Sequence, residues 1–98
     1  MKHVKIGPIG YTIREVRGLR SDDDTELLGE IDYSACVIKL DRTANVQCKR
    51  VTLLHEVIHG ILTNAGVQEH DESLIDAIAF GLYGVLRDND ELAGYVRQ

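Results

Sequence analysis

With 98 residues and a formal net charge of −5, the chain fits one compact domain and leaves no room for a second. Its basic residues form no run, and an acidic chain repels phosphate backbones, so nucleic acid is not expected as a primary partner. No apolar stretch approaches the roughly 20 residues that cross a bilayer, and Met1 to Pro8 lacks the apolar segment of a secretory leader; a cytoplasmic protein with no membrane partner is expected.

Residues 1–41 are expected to be mainly β. Val4 and Ile6, then Tyr11, Ile13 and Val16, read as strand material interrupted by Gly7-Pro8 and Gly10. The tract Ser21-Asp22-Asp23-Asp24-Thr25 reads as a solvated turn rather than a cation site. Leu28 to Tyr33 and Cys36 to Leu40 flank Ser34-Ala35 as the two arms of an antiparallel hairpin. Together these segments imply a small antiparallel sheet of about three strands. Cys36 and Cys48 are the only cysteines. Neither belongs to a CxxC pair, which excludes a thiolate zinc ribbon, and reduced thiols are favoured over a disulfide.

From residue 42 the chain is expected to be mainly α. Asn45 or Thr43 can cap a helix that runs to about Asn64 and stops at Gly66. Val51, Leu54, Ile58, Ile61, Leu62 and Ala65 share one face, and Leu53 and Val57 extend the apolar surface round the back. Only Thr52, His55, Glu56, His59 and Thr63 form a consistently polar stripe, so this is expected to be the most buried helix. A second helix should start at Asp71 and run to about Leu86, with Leu74, Ile75, Ile78, Leu82, Val85 and Leu86 as its core face. The tail from Asp88 to Gln98 is a short helical turn or a frayed end. The fold class is α+β, a small sheet packed on two helices.

The polar stripe carries the chemistry. His55-Glu56-Val57-Ile58-His59 is an HExxH motif. Residues i and i+4 are one helical turn apart, so both imidazoles project together and can grip one ion. Glu56 lies about 100° round the helix, displaced from the ligands yet within reach of a water held by the metal, where it can act as general base. Two unpartnered histidines and a glutamate in an apolar helix would cost several kcal/mol, a cost that a Zn2+ ion removes.

A catalytic zinc site needs a third protein ligand. The metzincin pattern would place a histidine in the segment after the motif, and Gly60 to Gly66 has none. Glu72 on the second helix is the preferred third ligand, with His70 as its rival. Asp76, four residues beyond Glu72, can accept the free N–H of a ligating imidazole. It falls between Ile75 and Ile78 and is expected to need a buried partner. If it is not a ligand, His70 can contact substrate or an oxyanion.

HExxH on one helix with ExxxD on the next resembles the gluzincin metallopeptidases. The short format, the phrase Thr52 to His59 and the stretch Val85 to Asn89 look like minimal gluzincins and the ImmA/IrrE-type peptidases of phages and mobile elements. The resemblance covers roughly Tyr33 to Asn89 and implies a minimal zincin fold. By it, His55, His59 and Glu72 bind zinc, Glu56 is the base and Asp76 orients a histidine. It further implies a zinc metalloendopeptidase acting on peptide or protein substrates, with Cys36 to Leu40 as a rim that pairs with extended peptide. Larger gluzincins carry a downstream histidine or tyrosine that stabilises the transition state; here only Tyr83 and Tyr95 offer themselves. Two alternatives stay open: a non-catalytic zinc-stabilised binding module, and a latent peptidase with Asp90-Glu91 lying over the metal.

Overall fold

In the computed structural model, which describes Met1 to Gln98, the β-rich half forms four strands. They are β1 (His3–Ile6), β2 (Ile9–Val16), β3 (Gly29–Asp32) and β4 (Val37–Asp41). Gly7, with φ +58°, makes the turn between β1 and β2. The second hairpin, β3 to β4, turns through Tyr33 to Cys36, and the Asp32 carboxylate accepts the Ala35 N–H at 3.0 Å.

The expected small sheet of about three antiparallel strands is roughly matched: the sheet is mixed, with four strands in the order β1-β2-β4-β3. The two hairpins are antiparallel, but they join side by side through parallel pairing of β2 with β4, in register from Thr12↔Val37 to Val16↔Asp41. Ile38 and Leu40 are almost fully buried, and a strand that apolar sits best in the interior of a sheet. The shorter β3 is therefore left at the edge. This corrects the expected rim: β4 is paired on both sides and has no free edge for a peptide, whereas β3 does.

The helices are α1 (Val46–Asn64), α2 (Glu72–Asp88) and α3 (Asp90–Val96). Asn45 is the cap of α1, its side chain accepting from the Cys48 N–H at 2.8 Å. At the other end Gly66 takes φ +82°. Gly66 donates to Thr63 and Val67 to Leu62, the paired closure that satisfies the last carbonyls. Asp71 caps α2 through the Leu74 N–H at 3.2 Å. The tail is the helix α3, which touches only α2.

There are two cores, and α1 lies between them. Ile6, Tyr11, Ile38 and Leu40 of the sheet pack with Leu53 and Val57. Ile58 meets Ile75 and Ala79 of α2, flanked by Val51, Leu54 and Leu62. Two expectations are corrected here. Ile61 is about half exposed, so α1 is not apolar-covered all round. On α2, Leu74, Ile78, Leu82, Val85 and Leu86 are exposed, because apart from α3 at its end α2 packs only on α1, and only its Ile75 and Ala79 are fully buried. No helix is long and apolar enough to cross a membrane.

Candidate metal centre

The turn between α1 and α2 brings the second helix back along the polar stripe of the first. The His55 and His59 rings, one turn apart, point the same way, with their Nε2 atoms 3.1 Å apart. Glu72, in the first turn of α2, sets one carboxylate oxygen 3.0 Å from His55 Nε2 and the other 2.8 Å from His59 Nε2. Three ligand atoms, one from each residue, lie within 4.8 Å of one another. Two neutral imidazoles and a carboxylate are the donor set that suits a tetrahedral zinc ion with an open position, so the residues present fit the group.

The surrounding hydrogen bonds settle which nitrogen of each ring is free. His55 Nδ1 stands 2.7 Å from Asp76 Oδ1; an N–H there donates to the carboxylate and leaves Nε2 as the lone pair. A second chain serves His59. His70 Nε2 donates to the Val67 carbonyl at 2.8 Å, which leaves His70 Nδ1 as an acceptor. That atom receives the proton of His59 Nδ1 at 2.6 Å, and His59 Nε2 is freed for a ligand. Burial holds the His59 imidazole below its ordinary pKa, against the pull of Glu72, and so favours the neutral ligating form.

Glu56 faces the same space but is differently housed. It is only 6% exposed, and its Oε2 is 4.0 Å from His55 Nε2. Burial pushes its carboxyl from 4.5 up to about 7; His55 opposes the rise, while Glu72, Glu30 and Asp76 add to it. A carboxyl with that affinity can both take and return a proton near neutral pH. Room for it comes from Gly29, the first residue of β3. A Cβ there would lie 3.2 Å from Glu56 Oε2 and would collide with the Thr52 methyl. Sequence reasoning missed Gly29, although a glycine opening a strand is a known sign of close backbone approach.

The structure thus brings together His55, Glu56, His59, Glu72 and Asp76. Asp76 has its histidine partner, but it is 71% exposed rather than buried, because it faces the open cleft. His70 is engaged with His59 and Val67 instead of standing beside Glu72 as a ligand or facing open space. Tyr83 lies about 10 Å along α2 from Asp76, away from the donor atoms. Tyr95 is on α3, exposed. Asp90 and Glu91 begin α3 at the far end of α2, roughly 25 Å from Glu72, and do not cover the centre. A cleft of about 730 Å³ opens from the centre along α1 and α2, walled on its third side by Leu27, Leu28 and Gly29. No protein-family model, curated protein or solved structure matches this chain.

Proposed function

We propose that the protein is a zinc metallopeptidase with a minimal zincin fold of the gluzincin type. The observation that carries the reading is the convergence of His55 Nε2, His59 Nε2 and the Glu72 carboxylate beside a buried glutamate that is not itself a ligand. A structural zinc site has no use for that glutamate, whereas hydrolysis needs a group that moves protons. When bound, zinc would act as a Lewis acid that polarises a peptide carbonyl and acidifies water. Glu56 then takes a proton at its carboxylate and returns it to the leaving amine. Asp76 and His70 hold the two ligand rings in the tautomers that leave both Nε2 atoms free. The apolar cleft wall at Leu27 and Leu28 and the free edge of β3 offer an extended chain a place to lie.

One observation favours a second reading. Neither expected electrophile stands beside the donor atoms to stabilise an oxyanion: His70 is engaged and Tyr83 is distant. A zinc-stabilised protein-binding module would need none. Metal analysis coupled to a broad peptide-library cleavage assay separates the two. Zinc with cleavage that disappears in Glu56→Gln supports the peptidase; zinc without cleavage supports the module; a protein that binds no zinc at neutral pH removes both.

A further inference from the structure

The cleft changes character along its length. Its metal end carries Glu56, Glu72 and Asp76, whereas its other end carries Tyr83 and Arg87. Asp76, Tyr83 and Arg87 share one side of α2: residues seven and eleven positions on fall within about 20° of the same helix line, about 10 and 16 Å along it. Across from them on α1 is Arg50, which joins Tyr83 and Arg87 in an adjoining depression floored by Leu53, Leu54 and Leu86.

Two observations at this far end lack an internal explanation: the geometry of the Tyr83 hydroxyl and the poor neutralisation of the arginines beside it. The Tyr83 hydroxyl is buried and has no partner in full hydrogen-bond geometry. Both guanidiniums nevertheless reach toward that oxygen: hydrogen bonding from Arg50 first, then from Arg87, with their charges adding, lowers its proton affinity below that of a free phenol. Arg87 also stacks over the ring, 5.5 Å from its centroid. Yet the cations are poorly neutralised. No ion pair of the chain includes Arg50, and Arg87 has only its exposed neighbour Asp88, at 3.3 Å. The remaining acid of the cleft, Glu26, is paired with Arg20. In a chain of net charge −5, two guanidiniums and a phenol gathered over leucine side chains make an arrangement that a carboxylate would complete.

We propose that Arg50, Tyr83 and Arg87 form a carboxylate-binding subsite of this cleft. Its ligand is an acidic side chain or a free C-terminal carboxylate of a peptide, about three to five residues from the bond at the metal centre, the distance that an extended chain covers at about 3.3 Å per residue. The ligand's being a peptide rests on the peptidase reading; the subsite's preference for a carboxylate does not.

The test is binding of fluorescent peptides to the zinc-loaded Glu56→Gln protein, followed by anisotropy. One set of peptides places Glu or Gln at varied positions, and a second set ends in a free acid or an amide. Acidic peptides bind about tenfold more tightly than their neutral counterparts. The Arg50→Gln/Arg87→Gln double variant loses that preference but keeps its affinity for neutral peptides within about twofold, and Tyr83→Phe loses part of it. A Glu-to-Gln effect assigns the ligand to a side chain; an acid-to-amide effect assigns it to the terminus. Equal affinity for acidic and neutral peptides, or a preference that survives in the double variant, overturns the subsite. Cleavage of neutral peptides by the zinc-loaded wild type is the separate check on the peptidase reading. Neutral peptides cut with no acidic preference sink the subsite alone; acidic peptides bound through the arginines but never cut sink the hydrolysis alone.

Discussion

Glu56 gives the most discriminating experiment, because its cost can be read without any substrate. Its carboxyl is pushed from 4.5 to about 7 in the folded chain, chiefly by burial. An acid whose proton affinity is raised by folding opposes folding once the pH is high enough to ionise it in the unfolded chain. Below pH 4.5 it is neutral in both states and contributes no penalty. Between 4.5 and 7 the unfolded chain ionises first, and stability falls as pH rises. Above 7 the whole penalty is present. At about 1.4 kcal/mol per pH unit this amounts to about 3 kcal/mol. Glu56→Gln, of nearly the same shape, removes the titration. With chelator present, the variant and the wild type should match near pH 4.5, and the variant should be about 3 kcal/mol more stable at pH 8, on the order of 10 °C in melting temperature. Urea denaturation at closely spaced pH values measures the difference, in which the histidines common to both proteins largely cancel. A gap between the two proteins that stays constant from pH 4.5 to 8 refutes the assignment of a buried, protonatable carboxyl at this position.

Other outcomes follow from the same geometry. Zinc at a hundredfold excess over its Kd should stabilise the wild type by about 2.7 kcal/mol, and His55→Ala or His59→Ala should abolish that gain; melting curves with and without chelator check it. His70→Ala should weaken zinc binding about 10- to 100-fold while His70→Asn, which keeps an acceptor for His59, recovers part of the loss, as read by competition with a chromophoric chelator. Gly60→Ala should destabilise by about 1–3 kcal/mol, since its Cβ would lie 2.7 Å from Ile6 Cδ1 and 3.3 Å from Ile31 Cδ1. Gly81→Ala, where a Cβ meets nothing within 4 Å, should instead stabilise by about 0.5–1 kcal/mol in the same denaturation assay.

The local features were legible in the sequence because their causes are local. Asn45, Gly66 and Asp71 mark helix ends through bonds to residues at most a few positions away, and the hairpin around Ser34-Ala35 is a contact between neighbours. The HExxH spacing and the ExxxD spacing each sit within a single helix, so the donor set followed from two short strings. What stayed hidden depends on distant partners. Alternation in β2 and β4 says which side chains face inward but not that the strands lie next to each other and parallel. Leu74, Ile78 and Val85 form an apolar stripe, but the pattern cannot tell whether another element covers it, and here none does. His70 stands alone in a turn, with no spacing that links it to His59, and Arg50 meets Tyr83 only because two helices run side by side.

The placement of α1 between two cores governs how the molecule can come apart. The sheet and α1 share one apolar cluster; α2 is fastened to α1 by the other, and α3 follows α2. The outer pair of helices should therefore show less protection against amide exchange than α1 and the sheet, which keep their own contacts. Both histidines lie on α1 and Glu72 on α2, so an ion held by all three would tie the outer helix to the inner layer.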